Sequence, residues 1–249
     1  MKKLSLFILL MVIVFLPSCY THRNIGFLQD RDDLPQYPKA EYQHYRLQIN
    51  DQVVYRLITM DETISKIMQG NNNGSINANS TVSYRIYADS TIDIPFVSGI
   101  KIAGLTLEEA QTEVQRRVRE IIPDAEVRLD LYNKTFTVIG DMKSGTYQIY
   151  KEKLTIYQAL AMTGDVLNTG DRRHVRIIRP RTNEEPEILE FDLRTNTVID
   201  SKYYYVHPND VIYVQRDKNS FIKVANYASF TALVTSSLSL LVSILSYIK

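Results

Sequence analysis

The stretch "GLTLEEAQTEVQRRVREIIPDAEVRLDLY", Gly104 to Tyr132, changes its hydrophobic period partway along. Thr106 stands at an N-cap position and Glu109 follows three residues later, the Thr-x-x-Glu capping box in which two orphan backbone donors are satisfied reciprocally. Leu107, Ala110, Val114, Val118 and Ile121 then recur at helical spacing and make one apolar face. Pro123, which cannot continue a helix, follows. Past it, Val127, Leu129 and Leu131 alternate and share one face of a strand. A helix and a strand each apolar on one side bury those sides together, so this stretch predicts an α+β architecture.

Working upstream, Tyr45, Leu47 and Ile49 alternate, Asn50-Asp51 turns, and Val53 to Ile58 resumes, which predicts strand, turn, strand. Residues 62–80 contain "QGNNNGSINANS", a polar loop with too little apolar content for a core. "YRIYADSTIDIPFVSGIKIAG" reads as further strands broken at Asp89-Ser90 and Ser98-Gly99. Downstream a second module begins. "TFTVIGDMKSGTYQI" predicts two strands about a turn at Ser144-Gly145, and "KLTIYQALAMTGD" a short helix. Its Leu154-Thr155-x-x-Gln158-Ala159 echoes Leu105-Thr106-x-x-Glu109-Ala110. "HVRIIRP" and "EILEFDL" form a hairpin, and "YYYVHPNDVIYV" closes the module through a turn at Pro208-Asn209-Asp210.

The two ends are of another kind. Lys2 and Lys3 precede an apolar run from Leu4 to Leu16, shorter than the roughly 20 residues a membrane span needs and suited to a signal peptide over residues 1–18. Leu16-Pro17-Ser18-Cys19 resembles a lipobox. Cys19 is the chain's one cysteine, and lipidation explains an unpaired thiol in an exported protein. Residues 19–39 mix charge and proline without a period and predict a tether. At the other end, Val224 to Ile248 carries no charge and would extend about 37 Å as a helix, so residues 219–249 predict a C-terminal transmembrane helix. Ser229, Ser236 and Ser243 are spaced by seven, as are Ala232, Ser239 and Ser246, giving a seam of small residues that would face neighbouring helices or an aqueous lumen.

Chemistry is sparse between these ends. Lys and Arg number 29 against 28 Asp and Glu, which gives no footing for a nucleic-acid partner. His22, His44, His174 and His207 lack metal-ligand spacing, and no phosphate loop or nucleophile elbow occurs. The reading is of a protein that catalyses no reaction and needs no metal or cofactor. Arg172-Arg173-His174-x-Arg176 is a basic cluster read as a solvated strand edge, and Tyr203-Tyr204-Tyr205 as half-buried packing.

Taken in order, the lipobox, "YRLQINDQVV", "IDIPFVSGIKIAGLTLEEA", "TVIGDMKSGTYQI…LTIYQALAMTGD", "VHPNDVIYV" and the terminal segment resemble the polysaccharide export lipoproteins of capsule and exopolysaccharide systems. The resemblance implies a poly-export domain at 40–132, with Asn50-Asp51 at its usual Gly-Asp turn. It implies one β-grasp SLBB domain at 133–218, with Ser144-Gly145 and Gly164-Asp165 at its Pro-Gly and Gly-Gly positions. It further implies a homo-oligomeric ring, often an octamer, anchored in outer-membrane lipid, with its main domains in the periplasm. The ring would be a porin-like conduit for the polysaccharide chain and would meet an inner-membrane polysaccharide copolymerase or tyrosine kinase. The alternative is a non-pore polysaccharide-binding or scaffold lipoprotein of the same machinery.

Overall fold

The computed structural model describes residues 26–61, 63, 64, 82–181, 184–218, 232, 234–240, 243 and 246. Two hydrophobic cores organise them. The first is built on a three-stranded antiparallel sheet of β1 (Gln52–Ile58), β2 (Ser83–Arg85) and β5 (Glu126–Leu131), in the order β2-β1-β5. A hairpin of β3 (Thr91–Ile94) and β4 (Val97–Lys101) stands beside it, and α1 (Leu107–Arg119) packs on β5 and β4. The Thr106–Glu109 capping box forms as its spacing predicts, with Thr106 Oγ1 accepting from Glu109 N and Glu109 Oε2 accepting from Thr106 N. Ala110, Val114 and Val118 turn inwards onto Val53, Leu57, Val127 and Leu129, because helical and strand periodicities each place their apolar residues on one side.

The second core is built on a five-stranded mixed sheet. Its members are β6 (Thr135–Gly140), β7 (Gly145–Gln148), β8 (Gly170–Arg181), β9 (Glu184–Phe191) and β10 (Val211–Arg216), in the order β7-β6-β10-β8-β9. Its first and last strands, β6 and β10, lie side by side in parallel, and every other pairing is antiparallel. Gly140 permits that close approach: its φ is 105°, and a Cβ there would lie 2.0 Å from Val214 O. The second helix, α2 (Ile156–Thr163), carries its own capping box from Thr155 to Gln158 and ends on Gly164 in the left-handed conformation, so the sequence echo between the helices is an echo of caps.

Residues 26–40 lie along this second core. Gln29 N donates to Arg194 O at 2.6 Å, Asp192 N donates to Tyr37 Oη at 2.9 Å, and Ala40 N donates to Asp200 O at 2.7 Å. Leu34 is buried, Phe27 meets Tyr157 edge-on, and Tyr37 meets Tyr203. The chain is therefore strapped to its second unit before it enters the first.

The expected transmembrane helix at 219–249 is corrected. Among the described residues, no helix is long and apolar enough to cross a membrane. Val224 to Ile248 carries no charge, and hydroxyls interrupt its apolar run. They also satisfy themselves on the preceding turn: Thr235 Oγ1 donates to Ala232 O at 3.1 Å, Ser239 Oγ to Ser236 O at 2.9 Å and Ser246 Oγ to Ser243 O at 2.8 Å. The fold class is α+β without a membrane-spanning helix among the described residues, and the porin-like channel inferred from that helix loses its footing.

Candidate functional site

The two cores meet through two copies of one turn. In Gln48-Ile49-Asn50-Asp51, Asn50 has φ 71°, Asp51 N donates back to Gln48 O, and Gln48 N donates to Asp51 Oδ2 at 2.8 Å. In His207-Pro208-Asn209-Asp210, Asn209 has φ 67°, Asp210 N donates back to His207 O, and His207 N donates to Asp210 Oδ2 at 2.8 Å. Asparagine suits the third place because its short polar side chain tolerates the left-handed region. Each aspartate then opens a strand, β1 or β10.

Asn209 joins the turns. Its Nδ2 donates to Asp51 Oδ1 at 3.0 Å and to Tyr45 Oη at 3.1 Å, and Tyr45 Oη donates to Asp51 Oδ2 at 2.7 Å. Asp51 is 1% exposed. Burial pushes its carboxyl up, opposed by the donors of Gln48, Tyr45 and Asn209; burial and the neighbouring Asp51 charge also push the Tyr45 phenol well up. A buried acceptor surrounded by donors from both units ties them together. Gln48 Nε2 adds a bond to Pro180 O at 2.9 Å, and His44 Nδ1 pairs with Glu152 Oε1 at 3.0 Å.

Beside this seam lies a polar cleft, between residues 40–43 and the β8–β9 hairpin and Tyr205 segment of the second unit. Arg179 holds one wall. Its Nε donates to Asp210 Oδ1 at 3.0 Å, and its Nη2 donates to Asp210 Oδ2 at 2.8 Å and to Tyr205 O at 3.0 Å. Burial pushes the Asp210 carboxyl up while Arg179 pulls it back. Tyr42 meets Tyr205 edge-on at 5.0 Å between ring centroids, and its phenol is pushed up to about 12 by burial. His207, edge-on to Tyr42, is pushed down to about 3 by burial and then by the Arg179 charge, so its ring is neutral near pH 7.

The residues singled out in the sequence fall elsewhere. Cys19 and Ser229 lie outside the described residues, as does most of the 62–80 loop. Ala232, Ser236, Ser239, Ser243 and Ser246 are helical and exposed. The basic cluster divides: Arg173 and His174 pair with Asp171, and Arg176 with Glu190. Arg172 turns inwards, 5% exposed, donates to Val166 O at 2.6 Å and stacks on Phe27, while its Nε and Nη1 are buried without hydrogen-bond partners. Tyr203 stacks on Phe191 and Tyr204 tilts against Tyr157, whereas Tyr205 reaches the cleft. Among the described residues, no group of three or more His, Cys, Asp or Glu could hold a metal ion. Sequence reasoning missed the joining of Asp51, Tyr45, Asn209 and Arg179. The available signal was the repeated Asn-Asp pair ahead of each strand.

Comparison with known proteins places the first unit. Two curated relatives are the EPS I polysaccharide export outer membrane protein EpsA of Ralstonia solanacearum, 23% identical over 146 residues, and its namesake from Ralstonia nicotianae, 27% identical over 107 residues. The matches take in 57% and 41% of this chain but 38% and 28% of those proteins, so the chain spans well under half the length of either. Residues 39–131, which hold the first core, match the family model described as polysaccharide biosynthesis/export protein.

Proposed function

We propose that this chain is a non-pore lipoprotein of a polysaccharide export machinery at the outer membrane, binding the polymer or holding the machinery together. The observation that carries the reading is the export-family domain at 39–131, locked at Asp51 to a second unit whose polar, aromatic cleft lies beside the joint. In this reading residues 1–18 are a signal peptide, Cys19 carries the lipid, residues 40–132 are the poly-export domain and residues 133–218 an SLBB domain. The parallel pairing of its first and last strands, with α2 between them in sequence, supports a β-grasp assignment. Its partners are the polysaccharide, outer-membrane lipid, further copies of the chain in a ring and an inner-membrane copolymerase or tyrosine kinase. The names of the Ralstonia relatives support the export and outer-membrane parts of this reading.

The test is made in the chain's own host. Deleting the gene should abolish surface polysaccharide, and restoring the wild-type chain should return it. Restoring Cys19→Ser should leave the protein unlipidated and released from the outer membrane. Surface polysaccharide unchanged by the deletion would overturn the export role. Lipid labelling unchanged in Cys19→Ser would overturn the anchor alone.

A further inference from the structure

We infer that the cleft between residues 40–43 and the second unit takes one uncharged sugar unit of the polymer; this rests on the polysaccharide reading above. Two features of its lining carry the inference. The first is the mixture of hydrogen-bonding groups. Glu41 presents a carboxylate, Gln43 an amide and Tyr205 a hydroxyl, all lining the cleft and each with no side-chain hydrogen bond among the described residues. Arg179 has its Nε and Nη2 engaged, which leaves Nη1 for the cleft. An anion needs donors alone and an apolar ligand needs neither kind. A sugar hydroxyl both donates and accepts, so acceptors and donors side by side fit a polyol. The ring of Tyr205 and the face of Tyr42 opposite Lys153, whose Nζ lies 4.8 Å from the Tyr42 centroid, add the amphipathic surface on which the C–H faces of a pyranose pack.

The second feature is charge balance. Arg179 is neutralised by Asp210 at 2.8 Å, and Arg181 by Glu184 and Glu187. What remains is one carboxylate, Glu41, against Lys202, whose Nζ lies 5.2 Å from the centroid of the Tyr203 ring, while the ammonium of Lys153 over the Tyr42 ring is offset by the second carboxylate beside Arg181. No excess positive charge is left to compensate a carboxylate taken out of water, a burden that burial makes costly. An uncharged sugar meets no such penalty.

The experiment titrates the purified full chain, by isothermal calorimetry and by ligand-observed NMR, with two probes at equal ionic strength: maltotetraose, which is uncharged, and tetragalacturonate, which is acidic. Maltotetraose should bind and tetragalacturonate should not. Gln43→Ala and Glu41→Gln alter exposed side chains without protein hydrogen-bond partners, so the fold tolerates both. Each should weaken maltotetraose about threefold to tenfold, the effect of one lost hydrogen bond. Tyr42→Ala should abolish binding, with circular dichroism to verify its fold. Preference for tetragalacturonate would overturn the uncharged sugar while leaving a saccharide site. Maltotetraose binding untouched by Gln43→Ala and Glu41→Gln would overturn the cleft as the site. Failure of both probes to bind would overturn the inference, and the host deletion would still decide the export role separately.

Discussion

At Asp51 a carboxylate that is 1% exposed depends on donors from both units, so the joint is sensitive to single atoms. Asn209→Gly keeps the left-handed backbone and removes only the amide. It should cost about 1–3 kcal/mol in urea unfolding, because a buried acceptor loses a donor. Asn209→Ala should cost about 1 kcal/mol more, the strain of a Cβ at positive φ, and equal losses for the two variants would show that the turn carries no such strain. His207 supplies a pH dependence. Its folded pKa, about 3, lies below the ordinary 6.5, so the unfolded chain binds the extra proton between those values. Its contribution to stability is therefore complete above pH 6.5 and is lost as pH falls towards 3, at up to about 1.4 kcal/mol per pH unit. The melting temperature should drop on acidification from pH 7 to 4.5, and His207→Phe should flatten that drop.

The elements legible in the sequence were those specified by near neighbours. Both capping boxes needed only residues three apart, and Thr106→Ala and Thr155→Ala should each cost about 1 kcal/mol in chemical denaturation. Elements specified at long range were less legible. Tyr45 to Ile49 alternates like a strand, yet its pairing is a single bridge, Arg46 to Thr106, with Leu47 N donating to Leu105 O and Gly104 N to Leu47 O. Ser98-Gly99 reads as a turn but is a bulge. Ile92 pairs with Ile100 and Ile94 with Val97, so Asp93 opposes both Ser98 and Gly99, and its Oδ1 accepts from Gly99 N at 2.8 Å. The true turn is Pro95-Phe96, with Phe96 at φ 65° and 71% exposed. An aromatic residue there gives no sequence signal, because that conformation favours glycine or asparagine.

Across the whole molecule, both cores drew on apolar positions visible as periodicity, while the strap was illegible. Phe27, Leu34 and Tyr37 follow no period, because an extended segment crossing a finished surface meets whatever hollows that surface offers. The cleft was equally hidden, since Tyr42, Arg179 and Tyr205 are far apart in the chain and only tertiary pairing assembles them. A chain beginning at Ala40 should lose about 2–4 kcal/mol from the second unit, the worth of the buried Leu34 and Tyr37 surface, seen as earlier urea unfolding of that unit. The strap also bears on orientation. The seven residue steps from Cys19 to Gly26 reach at most about 25 Å, and Gln29 is already held at Arg194. With lipid on Cys19, the unit moored nearest the bilayer would be the second in sequence. Tension on the anchor would then load that unit's surface first, and the first unit would hang beyond it, shielded from the pull.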